Sequence, residues 1–183
     1  MTTATTLPGL VAGTWTIDPA HTDVSFTVRH MMVSKVRGKF AAVRGTIEVA
    51  PDVLESTLTA EVDLASLDTG VRQRDDHIRS ADFFEVEKYP TMVFRSTAIR
   101  PDGDEYVLVG DLTLHGVTRP LELALEFNGA VTDPWGKTRA GFTATGQLNR
   151  KDFGIVTDIP MDGGGVVIAD KIAIHLEAEA TLD

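Results

Sequence analysis

The chain contains no cysteine. Thiol nucleophiles, thiolate metal sites and disulfides are thereby excluded, although the redox compartment stays open. Positive charge is also scarce: 17 Lys and Arg stand against 27 Asp and Glu, a formal net charge of -10. Such a chain is repelled at long range by phosphate backbones and anionic headgroups, so nucleic acid is not an expected partner and membrane contact is expected to be transient at most. No run of about 18 apolar residues exists to form a spanning helix. The opening residues, MTTATTLPGLVA, have neither the basic n-region nor the apolar run of a signal peptide, so the expectation is a cytoplasmic protein. Internal repeats, low-complexity segments and linkers are missing too. What remains is one domain over residues 14–183 behind a disordered tail over residues 1–13, and 183 residues suffice to bury roughly two-thirds of the unfolded surface without a staple.

What the chain has in abundance is period-two alternation, the mark of strands with one buried face. Val24, Phe26 and Val28 alternate with Ser25, Thr27 and Arg29; Leu58, Ala60, Val62 and Leu64 with Thr57, Thr59, Glu61 and Asp63. Leu121, Leu123, Leu125 and Phe127 stand against Glu122 and Glu126, and Ile172, Ile174, Leu176, Ala178 and Ala180 against His175, Glu177 and Glu179. Runs near 38–49, 91–99, 105–115 and 138–148 bring the count to about eight strands. Short turn signals such as PDGDE (101–105) and DPWGK (133–137) make most of them antiparallel neighbours. The class is all-β; alternation by itself leaves barrel and sandwich both open.

The alternation fails once, at RQRDDHIRSADFFEVEKYP (72–90). From Val71 to about Asp82, Val71, Ile78 and Ala81 share a helical face. Arg72 with Asp76, and Asp75 with Arg79, form i,i+4 pairs, and Asp68 or Thr69 is placed to cap the start. The charges can satisfy one another, which favours an architectural helix over a catalytic cluster.

Four blocks in order, TWTIDPAHTDVSFTVRHMMVSKVRGKF, RDDHIRSADFFEVEKYPTMVFRST, GDLTLHGVTRPLEL and NRKDFGI, resemble the characteristic blocks of the YceI-like polyisoprenoid-binding proteins, and the resemblance extends from Thr14 to Leu182. It implies a lipocalin-like, eight-stranded antiparallel barrel with a helix covering one end. It also implies an isoprenoid lipid bound in the interior, with no reaction, catalytic residue, cofactor or metal. Two features depart from the pattern: members are often exported, and the loop VTDIPMDGGGVVIAD (156–170) is Gly-rich where the family usually has a polar, Asn- or Glu-containing one.

Parity places Phe26, Val28, Phe40, Leu58, Val62, Phe94, Leu112, Leu123, Phe142, Ile174 and Leu176 toward the interior, with Phe40, Phe94 and Leu112 most exposed to reversal by a bulge. His30 continues the inward parity of β-strand 24–28 and leads into Met31, so this pair is the candidate for meeting a polar ligand head at a mouth. The small residues Ala60, Ala98, Ala144, Gly146, Ala178 and Ala180 either leave an apolar void or allow close strand contact. None of the five histidines shows metal-ligand spacing, which leaves only a site assembled in three dimensions open; His21 reads as a turn residue and His115, in HGVTRP, as hairpin packing or a hydrogen bond. RKDFGI (150–155) lacks every companion of a kinase D-F-G element, and Gly163–Gly165 lack the rest of a phosphate loop. The reading is a non-enzymatic carrier of a prenyl quinone, polyprenyl alcohol or its phosphate, with a homodimer allowed. The alternatives are a hydrolase or isomerase using His30 with Asp18 or Asp76, and an interaction module with a packed barrel.

Overall fold

The computed structural model describes residues 3–183. Its strands are β1 (Gly13–Ile17), β2 (Asp23–His30), β3 (Ser34–Phe40), β4 (Val43–Val49), β5 (Thr57–Asp63), β6 (Leu67–Asp68), β7 (Thr91–Asp102), β8 (Glu105–Leu114), β9 (Val117–Thr132), β10 (Thr138–Asn149) and β11 (Ile168–Leu182), with one α-helix, α1 (Arg72–Arg79), between β6 and β7. The first six strands are three long ones, each broken once. β1 pairs β4 while β2 pairs β3, and β4 pairs β5 while β3 pairs β6. Pro19, which cannot donate to a ladder, sits in the first break, a short 3-10 turn whose N-cap Asp18 accepts from Ala20 N.

The resulting eight strands follow one another in chain order and close where Trp15 faces Leu182 and Ile17 faces Ala180. The fold is a closed eight-stranded antiparallel barrel. Closure removes the sheet edges that would otherwise template aggregation. β1 is short, its alternation limited to Trp15 and Ile17 set against Thr14 and Thr16.

At one end of the barrel lie the β2–β3 turn, α1, the His115–Gly116 turn and the 150–167 loop; this is the helix end. The other carries the N-terminal segment. Residues 3–13 do not behave as the disordered tail expected there. Val53 N donates to Thr5 O (2.9 Å), Thr5 N to Asp52 Oδ1 (3.3 Å), and the Trp15 indole to Val11 O (3.0 Å). Leu7 and Leu10 supply the physical reason, since they cover Ile47, Val49 and Phe127 at an open barrel end. Residues 1 and 2 of the expected tail lie outside the described residues.

Helix α1 is shorter than expected and anchored differently. Its N-cap is Val71, with no side-chain cap, and the Asp75–Arg79 pair does not form. Asp75 is buried and accepts from Thr69 N (2.9 Å) and Thr69 Oγ1, while Arg79 donates to Ala65 O and Leu67 O. Arg72 and Asp76 meet only at 4.0 Å on the exposed face. Asp75→Ala should therefore cost about 1–3 kcal/mol in denaturant titrations, because the half-buried Thr69 donors lose their acceptor. Arg72→Ala should be indistinguishable from wild type, and equal effects for the two would refute this division.

The closing seam is tied by Arg139 at the start of β10, which donates to Asp133 (2.7 Å), Asp18 (2.9 Å) and Glu179 (2.7 Å). The Arg139 guanidinium holds the Asp133 carboxyl below its usual range; for Asp18 the His21 hydrogen bond is the larger cause and Arg139 adds to it. A lowered folded pKa contributes stability that is fully present above the unfolded value, about 3.9, and is lost as pH falls through the folded one. Arg139→Met should thus be less stable than wild type near neutrality, with the gap narrowing below about pH 4. Urea unfolding from pH 7 to 3 reads this, and a gap independent of pH would sink it.

Candidate ligand-binding site

Inside the barrel lies a cavity of about 260 Å³ walled almost wholly by apolar side chains. Phe26, Val28, Phe40, Leu58, Val62, Phe94, Leu112, Leu123, Phe142, Ile174 and Leu176 all line it, contributed by all eight strands of the ring. Bulges are present at Ser96/Ala98 and Gly141/Phe142, but they leave Phe94 and Leu112 facing one another in register on the inner side. From the helix end, Ile78, Phe83 and Phe84 close over this space, with the Phe84 ring 6.1 Å from that of Phe40.

His30 and Met31 do not line it. Val28 is the last inward residue of β2; His30 stands at the hairpin neck, opposite Ser34 and Ile168, where β11 slips register. Met31 lies in the turn beyond, left-handed and exposed. Strand parity stops being informative where the chain leaves the barrel wall.

The small residues divide by what fills the space in front of them. Ala60, Ala144 and Ala178 face the cavity. Gly146 does not open volume: a Cβ there would lie 2.5 Å from Leu123 Cδ2, so the leucine occupies the place, as Phe26 does at Gly38 and Phe94 at Gly110. Ala180 is packed in the Trp15 cluster, and Ala98 is turned outward past the Ser96 bulge. Nearer the tail end is a second apolar cavity of about 80 Å³. Ile47, Leu58, Leu108, Leu125 and Phe142 belong to both and form the partition between them.

One charged residue reaches the wall, and sequence reasoning missed it. Arg150 is 3% exposed and shows the cavity its aliphatic stem. Its nitrogens are turned away, donating to the carbonyls of Ile155 (2.9 Å), Thr157 (2.9 Å), Ala169 (3.1 Å) and Ile168 (3.3 Å) and to Asp158 (2.8 Å) and Asp170 (3.4 Å). Within RKDFGI, Phe153 is buried in the core and Asp152 exposed. The only precursor signal is an arginine at a strand end followed by a segment rich in aspartate, Asp158 and Asp170 among them.

The polar groups weighed for catalysis do not converge. Asp18 bonds His21 and Arg139, Asp76 is exposed on α1, and His30 is at the hairpin neck. Asp18, His21 and Glu179 do place ligand atoms within 4.8 Å of one another. Arg139 Nη1, however, sits against both carboxylates, and a guanidinium there takes the place a cation would need. His115 donates from Nδ1 to Phe153 O (3.1 Å) and packs on Tyr89, while its buried Nε2 lies 3.6 Å from Glu85. It ties the 80–90 segment to the β8–β9 turn.

A closed antiparallel barrel with an apolar interior, in which no reactive groups converge among the described residues, is a small-molecule binding architecture. Residues 15–180 match the YceI-like domain family, and the chain belongs to it. It is 42% identical over 154 residues to the protein YceI of Escherichia coli O157:H7, covering 81% of this chain and 80% of that one. Among solved structures, the Campylobacter jejuni YceI protein superposes with a TM-score of 0.70 at 31% identity over 91% of this chain and 96% of that one. The fold is shared with a polyisoprenoid binding domain from Saccharophagus degradans (TM-score 0.69, 14% identity, 92% of this chain and 98% of that one).

Proposed function

We propose that this protein is a non-catalytic carrier or store for an isoprenoid lipid whose apolar chain occupies the barrel interior. The observation that carries this reading is the 260 Å³ cavity. It exceeds the roughly 150 Å³ of an engineered apolar cavity that stays dry and takes up benzene. Water has few polar partners along these walls, so an apolar guest replaces nothing of value on entry. Each buried methylene-sized group contributes roughly 0.8 kcal/mol, so two or three isoprene units bind usefully after ordering costs. The shared fold with a domain named for polyisoprenoid binding supports the same ligand class.

Organic extraction of purified protein followed by mass spectrometry tests this. The expected result is an apolar, isoprenoid-containing ligand that incubation with the protein leaves unchanged. Turnover of that ligand would favour the enzyme reading, and a clean extract together with no uptake of added prenyl alcohol would favour a packed interaction module.

A further inference from the structure

The helix end of the barrel concentrates apolar surface. Of nine large apolar residues exposed among the described residues, six lie there: Met31, Met32, Val33, Val71, Val156 and Ile159. The most exposed of these form the tip of the β2–β3 hairpin, where Met32 is 68% and Val33 84% exposed. Met31 and Met32 both adopt left-handed backbone, at φ 52° and 60°, with Val33 N donating to His30 O across the turn. Consecutive left-handed positions in a hairpin favour Asn and Gly, not unbranched apolar side chains. Strained backbone that presents two methionines to solvent is a site retained at a cost to the fold.

Charge beside this tip runs against the rest of the molecule. In a chain of net charge -10, the stretch between Asp23 and Glu48 has no acidic residue and five basic ones. Arg29 and Lys35 are exposed and directly opposed across the β2–β3 pair, with Arg37 next on the same outer face. Among the described residues these three form no ion pair; only Arg44 of the five does, with Glu61. Like charges facing across strands destabilise a sheet unless an anion lies over them. Lys171 on β11 extends the row; Asp68 lies opposite Lys39, Asp162 is in the 156–167 loop, and Asp158 and Asp170 of the same region are paired with Arg150 and Lys151. Backbone and side chains also join the tip to that loop. Met31 N donates to Val167 O (2.7 Å), and Met32 and Met161 converge over Gly165.

We propose that the β2–β3 hairpin tip is a membrane-docking element for anionic bilayers. Met31, Met32 and Val33 enter the headgroup–acyl boundary while Arg29, Lys35 and Arg37 meet lipid phosphates. Apolar insertion flanked by a basic patch is the two-signal pattern that gives reversible surface binding. The net charge of -10 opposes approach by surfaces that lack such a basic patch, which favours this orientation. Docking there sets the helix end of the cavity, with Ile78, Phe83, Ile155 and Ile168 in its wall, against the lipid surface. The proposal goes beyond the carrier reading, because binding to vesicles is measured independently of what fills the barrel.

Cosedimentation with vesicles of phosphatidylcholine alone, or mixed with phosphatidylglycerol, tests it. Wild type should bind the mixed vesicles, weaken as salt rises, and bind neutral vesicles poorly. Lys35→Glu with Arg37→Glu should reduce partitioning at least 25-fold, about fivefold for each cation lost. The decisive variant is Met31→Asn with Met32→Gly. It suits the left-handed turn, so its melting temperature should equal or exceed wild type while vesicle binding falls at least tenfold. Unchanged binding by that variant, or equal binding to neutral and anionic vesicles, would overturn the proposal. So would failure to bind vesicles combined with concentration-dependent dimerisation that the variant abolishes, which would make the tip a contact between copies of this chain.

Discussion

Replacing Ala144 by Phe is expected to give a folded barrel that extracts with essentially no apolar ligand. Ala144 lies on β10 between Leu125 and Leu176, facing the cavity. A phenyl ring there takes up over half of the 260 Å³, judged by the roughly 150 Å³ in which benzene is held. Because the ring fills space already empty, the 1–3 kcal/mol typical of overpacking does not apply. Ligand affinity bears the whole effect: excluding even one five-carbon unit removes roughly 4 kcal/mol, about three orders of magnitude in Kd. Ala60→Phe, on β5, should act alike from a different strand. Ala180→Phe supplies the contrast, because Ala180 is 1% exposed against Trp15 in packed surroundings and should destabilise the barrel instead. If Ala144→Phe unfolds the protein as readily as Ala180→Phe does, the cavity is not a ligand space and the carrier reading fails.

That contrast marks how far the residues could be read in advance. All three alanines occupy inward parity on alternating runs, and period two is a local property that a single strand displays unaided. Which of them faces a void depends on the strand across the barrel, which no local pattern encodes. Gly146 illustrates the same limit: its missing side chain is matched by Leu123, a partner on the neighbouring strand. Ala98 was lost to a bulge, which leaves no trace in composition. The helix was legible as an interruption of period two, but its anchoring through buried Asp75 was not, since i,i+4 spacing pointed to a surface pair. β11 closes the barrel against both β2, whose alternation was legible, and β1, whose five residues are too few to stand out as a strand. His30 and Met31 failed for a different reason: parity was carried past the last barrel position into a turn.

Arg150→Met should be the most destabilising single change at the helix end, by about 3–5 kcal/mol. Methionine approximates the aliphatic stem that the cavity sees, so the wall keeps its shape and the loss isolates the guanidinium. Four carbonyls and two carboxylates lose a donor at once, at a residue only 3% exposed. Lys151 still reaches Asp158 (2.8 Å) and Asp170 (3.3 Å), so the carboxylates keep one cation and the uncompensated groups are the carbonyls. Those carbonyls belong to the two ends of the 156–167 loop, and Arg150 is what draws the ends together. Limited proteolysis should accordingly find new cleavage within 156–167 in the variant while the remaining barrel resists. Arg150→Lys should recover little, because a point charge with three donors cannot span acceptors that the planar five-donor fork reaches. Unchanged stability with no new cleavage would mean that the contacts of Met32 and Met161 over Gly165 hold the loop by themselves, and that the buried arginine is dispensable to the architecture around the cavity.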